Sequence, residues 1–167
     1  ISCLYNVINT RLNRGLPTII SIHGGGWFYG SKLLYSHYCL RLAKRGFAVV
    51  NFDYRLAPEH PFPAALEDTV ESYRYLLSKG YAPERICLCG ESAGGGLCYS
   101  LCLRLREKGW VMPAGIIAIS PWTDLTASGP SYVENREDVK VKYVFRREED
   151  IAAFAEYESF YPEIRFT

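Results

Sequence analysis

Four short apolar runs, LPTIISI (16–22), FAVVNFD (47–53), RICLCG (85–90) and AGIIAIS (114–120), alternate with segments whose apolar residues recur at helical spacing. A strand that is apolar on both faces must be covered on both faces, and strands joined by helical crossovers run parallel. The pattern calls for an α/β fold, a mainly parallel sheet with helices on both faces. YSHYCLRLAKRG (35–46) reads as a helix that turns Cys39, Leu42 and Ala43 inward and stops at Gly46. Leu66, Val70, Tyr73 and Leu77 make one face of a helix over 64–79, and Leu97, Leu101 and Leu105 one face of a helix over 94–108. CLYNVIN (3–9) is a further strand candidate. Beyond Pro121 the pattern loosens, up to a helix expected over 147–158 with a solvated face of mixed charge.

The totals narrow the class. With 19 Lys and Arg against 18 Asp and Glu, no global field points to nucleic acid or to an anionic membrane. No apolar run approaches the ~20 residues that span a bilayer. Four of the six cysteines, Cys87, Cys89, Cys98 and Cys102, fall inside a strand and a helix that read as buried, so they count as small hydrophobes rather than a disulfide frame. Cys87 and Cys89 share a strand face, yet no second Cys or His pair stands near enough to complete a metal site. No metal and no cofactor is called for, and the expected setting is a reducing, cytoplasmic one without a signal peptide.

Two glycine-rich stretches carry the chemistry. CGESAGGG (89–96) holds Gly90-Glu91-Ser92-Ala93-Gly94, a G-x-S-x-G between an expected strand and an expected helix. That context suits a nucleophile elbow, a strained turn that lifts a serine hydroxyl above the sheet edge between small neighbours. The same letters also suit a glycine-rich helix start packed closely on a sheet. HGGGWFYG (23–30) follows directly on TIISI, where glycine's entropy cost makes three in a row unlikely filler. Acyl transfer needs donors for the oxygen that becomes negative, and bare backbone N–H groups at such a bend reach it unobstructed.

Together with DYRLAPEHPFPAALED (53–68) and SPWTDLT (120–126), these blocks make the chain similar, from about residue 17 to residue 126, to the hormone-sensitive-lipase-like group of α/β-hydrolases. The resemblance implies hydrolysis of carboxylic esters with short or medium acyl groups through an acyl-enzyme. It assigns Ser92 as nucleophile and the N–H groups of Gly25, Gly26 and Ala93 as the oxyanion hole. Gly24 shapes the bend, His23 supports the loop, and Glu91 is grouped with them as a supporting residue. It also implies an α/β-hydrolase domain that is incomplete here, with a core at about 17–126, a cap-like or connecting helical segment at 127–167, and the later strands missing.

In this fold the histidine follows the nucleophile and the acid along the chain, whereas His23, His37 and His60 all precede Ser92. His37, in a helix, and His60, in the proline loop, read as structural. Asp124 lies after the strand that follows the elbow, and a loop-capping role is expected for it. Two readings stay open. The chain is an incomplete copy of an esterase whose acid and base lie elsewhere, or it is a non-catalytic ligand-binding protein of the same fold. The first is favoured, because a parallel sheet ending here bares an apolar strand edge. The expected partner is a small-molecule ester, with oligomeric state unread.

Overall fold

A computed structural model describes residues 5–8, 15–126, 129–130 and 134, and of residues 5–8 the backbone alone. The expected helix over 147–158 lies outside the described residues. Contacts divide the chain into two compact units, Ile1–Thr123 and Asp124–Thr167.

In the first unit, strands β1 (Tyr5–Ile8), β2 (Thr18–Ile22), β3 (Ala48–Phe52), β4 (Ile86–Glu91) and β5 (Gly115–Ile119) alternate with helices α1 (Lys32–Ala43), α2 (Ala64–Ser78) and α3 (Ala93–Glu107). A 3-10 turn at Pro83–Arg85 leads into β4. The sheet order is β1-β3-β2-β4-β5. The pairs β2–β3, β2–β4 and β4–β5 are parallel, while β1 pairs antiparallel with β3. Among the described residues, no helix is long and apolar enough to cross a membrane.

Every residue of β2 and β3 is buried, because both faces of these strands are covered. Side chains alternate along a strand, so Ile20, Ile22, Val50 and Phe52 point to the layer that holds Leu66, Tyr73 and Leu76 of α2 and Leu97, Leu101 and Leu105 of α3. The opposite face takes α1, whose Cys39 is fully buried while Leu42 and Ala43 are half-buried. The α3 face matches its leucine spacing. On α2 the most deeply buried positions are Thr69, Ser72, Tyr73 and Leu76, so the inward stripe is rotated away from Val70 and Leu77, which are half-buried. Thr69 and Ser72 tolerate this because their hydroxyls donate to the carbonyls of Ala65 and Thr69 within the helix.

Helix α1 begins three residues before the expected position 35. Its start is fixed from outside. The Lys32 N–H donates to Asp53 Oδ1 at 2.6 Å, and Asn51 Nδ2 donates to the Lys32 carbonyl at 2.7 Å. Both partners come from β3 and the residue after it, which periodicity along residues 32–46 does not register.

Candidate active site

The register of β2 on β4 decides where the two glycine-rich stretches fall. Ile22 pairs with Gly90, so two residues further on Gly24 comes abreast of Ser92. A methyl group placed on Gly24 would lie 2.9 Å from the Glu91 carbonyl oxygen and 3.4 Å from Ser92 Cβ. The start of α3 is pressed equally hard on the end of β2. A methyl group on Gly94 would stand 2.2 Å from the Ile22 carbonyl oxygen and 2.5 Å from that of His23. The close packing of a glycine-rich helix start on a sheet is thus part of the geometry, and here it also brings the bend against the elbow.

Ser92 is half-buried between β4 and α3, with φ 52° and ψ −120°. An L-residue adopts that conformation only under strain. Its surroundings enforce it: the Ser92 N–H donates to the Ile119 carbonyl, and the Ser92 carbonyl accepts from the N–H groups of Gly96 and Trp122, each at 3.0 Å. Gly25 and Gly26 have φ of 114° and 62°, the region that glycine enters without penalty. The bend closes on itself through the Tyr29 N–H, which donates to the Gly25 carbonyl at 2.9 Å. Among the described residues, the N–H groups of Gly25, Gly26 and Ala93 have no acceptor.

His23 is enclosed completely. Its ring lies stacked on Tyr54, centroids 4.1 Å apart, and the Tyr54 hydroxyl donates to the His23 carbonyl at 2.9 Å. Nδ1 is 2.8 Å from the Gly24 carbonyl oxygen, which only accepts, so Nδ1 carries the proton and Nε2 is left buried without a partner. Burial pushes the ring's pKa below the ordinary 6.5, outweighing the Gly24 bond and Asp53, so the ring is neutral near pH 7. His37 and His60 lie exposed, on α1 and in the proline loop. In the second unit, Asp124 Oδ1 accepts from the Thr126 N–H at 2.9 Å and from the Thr126 hydroxyl at 2.5 Å, a capped turn of the kind expected.

Glu91 reaches outward from the last position of β4, and its Oε2 accepts from the Tyr35 hydroxyl at 2.9 Å. The same hydroxyl oxygen accepts from the Gly24 N–H at 3.2 Å. No spacing in the sequence pointed to Tyr35, because its partners arrive from the bend after β2 and from the end of β4. Trp27 and Trp122 form a second contact that the sequence did not reveal, a stack with centroids 5.0 Å apart beside the elbow. Cys39, Cys87, Cys89, Cys98 and Cys102 are free, and burial, the leading cause in each, raises every one of these thiols, so they are weak nucleophiles. No cluster of three His, Cys, Asp or Glu residues suited to a metal occurs among the described residues.

Residues 19–160 match the family described as "alpha/beta hydrolase fold". The chain is 42% identical over 120 residues to an acetyl-hydrolase of Streptomyces hygroscopicus, covering 71% of this chain and 40% of that protein. It is 39% identical over 124 residues to the hormone-sensitive lipase of Homo sapiens, covering 71% of this chain and 12% of that one. Among solved structures, an esterase of the bacterial hormone-sensitive lipase family superposes with a TM-score of 0.72 at 34% identity, over 94% of this chain and 56% of the other. An esterase/lipase from an uncultured bacterium gives 0.69 at 41% identity, over 74% and 42%. The chain therefore spans about two fifths of the length of the acetyl-hydrolase that it matches.

Proposed function

This chain belongs to the hormone-sensitive-lipase-like group of the α/β hydrolases, and from that premise we propose that it carries the nucleophile and oxyanion donors of a serine carboxylesterase for short or medium acyl esters. In this reading the Ser92 hydroxyl adds to the ester carbonyl carbon while its proton passes to a general base. The carbonyl oxygen takes the displaced electron pair and accepts hydrogen bonds from the N–H groups of Gly25, Gly26 and Ala93. Collapse expels the alcohol, which recovers the proton, and leaves the acyl group on Ser92 Oγ. Water then releases the acid by the same sequence. Loss of one oxyanion donor in such a site costs about 10²–10³ in turnover.

The observation that carries the reading is the close approach of Gly24 to Ser92, which sets a bend with two unengaged amide donors, those of Gly25 and Gly26, beside a serine in an elbow conformation that is followed by the unengaged Ala93 amide. None of the histidines suits the base. His23 is enclosed with its Nδ1 proton bound to its own loop, and the other two are exposed, on α1 and in the proline loop, with no hydrogen bond to Ser92. In this reading the base is a histidine other than these three, as the family resemblance implies, and a site working without it keeps roughly 10³–10⁴ of catalysis over water.

The test supplies a base from solution. With p-nitrophenyl butyrate, imidazole is expected to accelerate butyrylation of the chain, read by intact mass and mapped to Ser92, above the rate in Ser92→Ala. Equal labelling of the two proteins overturns the nucleophile assignment. Fast turnover without imidazole that disappears in Ser92→Ala overturns the assignment of the base to another segment.

A further inference from the structure

We propose that Tyr35 is a positioning residue: its hydroxyl, held between the Gly24 amide and the Glu91 carboxylate, keeps the triple-glycine bend in register with the elbow serine. The direction of the relay follows from the chemistry of a phenol. Tyr35 has one hydroxyl proton and spends it on Glu91 Oε2 at 2.9 Å, so only a lone pair faces the Gly24 N–H at 3.2 Å. A carboxylate acceptor polarises the O–H bond and so makes its oxygen a better acceptor for the amide. Burial, partly offset by the Gly24 bond and reinforced by Glu91, raises the Tyr35 pKa, so the donor persists through the neutral range.

The two ends of the relay lie at the ends of different strands. Gly24 lies two residues past the end of β2, while Glu91 closes β4 and is bonded directly to Ser92. Tyr35 comes from a third direction, the first turn of α1, and that turn is itself anchored. Beyond the two hydrogen bonds at its backbone, Lys32 Nζ pairs with Asp53 Oδ2 at 3.1 Å. The hydroxyl thereby ties the ends of β2 and β4, and Lys32 ties the same helix turn to the end of β3. The relay also occupies the Gly24 N–H, the first amide of the bend, and leaves those of Gly25 and Gly26 to face an oxyanion. Phenylalanine at 35 would keep the ring and lose the tie.

For its kinetic consequence the proposal rests on the hydrolase reading, so its test uses two readouts on this chain, Tyr35→Phe, Glu91→Ala and the double variant. In the imidazole-assisted acylation of Ser92 by p-nitrophenyl butyrate, each single variant is expected to lower the limiting rate about ten- to a hundredfold while the half-saturating ester concentration stays put. The double variant should be no slower than the singles, because both cut one relay. Additive losses, or a rise in half-saturation at constant limiting rate, overturn the proposal. The second readout needs no chemistry: Gly24 amide hydrogen exchange is expected to be slow in the wild-type chain and faster in each variant. Unchanged exchange in Tyr35→Phe overturns the relay. If Ser92 of the wild type is not acylated while Gly24 exchange responds to the variants, the hydrolase reading fails and the relay stands.

Discussion

Ser92 shows how much of this site is decided by single backbone conformations. A non-glycine residue in such a region carries about 1–3 kcal/mol of strain, held here by hydrogen bonds to Ile119, Gly96 and Trp122. Ser92→Gly relieves that strain and Ser92→Ala retains it, so the glycine variant should be more stable than the alanine variant by about 1 kcal/mol. Urea midpoints of the two proteins check this, and equal midpoints would mean that the turn is not strained. The serine was readable because G-x-S-x-G between a strand and a helix is a local pattern. Tyr35 was not, because its role consists of two contacts made to residues 11 and 56 positions away. His23 stands between these cases: chain order alone argued against a base, and the stack on Tyr54 supplies the physical reason for its burial.

Among the elements, the proline loop after β3 is held by one buried charge. The Asp68 side chain is only 3% exposed, and it accepts from the Arg55 N–H at 2.8 Å and from Arg55 Nε at 3.0 Å. Glu67, which shares the same guanidinium, is 61% exposed. Asp68→Asn should cost about 1–3 kcal/mol in chemical denaturation, the range for a hydrogen bond to a charged group that leaves a buried partner wanting. Glu67→Gln should cost under about 1 kcal/mol. Periodicity located α2 and α3 within a residue at either end, since each has a long apolar stripe. It misplaced the start of α1, which has no such stripe: Leu33, Leu34 and Leu40 face solvent, and only Cys39 is buried. It also overlooked the rotation of α2, because Thr69 and Ser72 look polar in sequence and satisfy themselves inside the helix.

For the molecule as a whole, apolar runs separated by crossovers were enough to argue a parallel sheet, and its four strands β3, β2, β4 and β5 follow that argument. The antiparallel β1 escaped it, since direction is not written in a strand's own composition. The meeting of the two glycine-rich stretches is likewise a property of the assembled sheet, set by the pairing of Ile22 with Gly90. At the far side, β5 pairs with β4 and has no further strand among the described residues, and Ile117 and Ile119 are 49% and 46% exposed on one face. An apolar strand edge of that kind templates further pairing. The isolated chain is expected to self-associate reversibly with concentration, and Ile117→Lys with Ile119→Lys should suppress it. Sedimentation velocity decides: a wild-type monomer at every concentration would contradict the expectation.

The serine's own N–H is bonded to the Ile119 carbonyl and its carbonyl to the Trp122 amide, so the last residue of β5 and the segment just after it hold the elbow turn directly, Ile119 and Trp122 acting as a lever on Ser92. Tension drawn along that strand in a pulling experiment is expected to reach Ser92 before it reaches Leu101 or Tyr73, so that the elbow would be distorted under load while the interior was still intact.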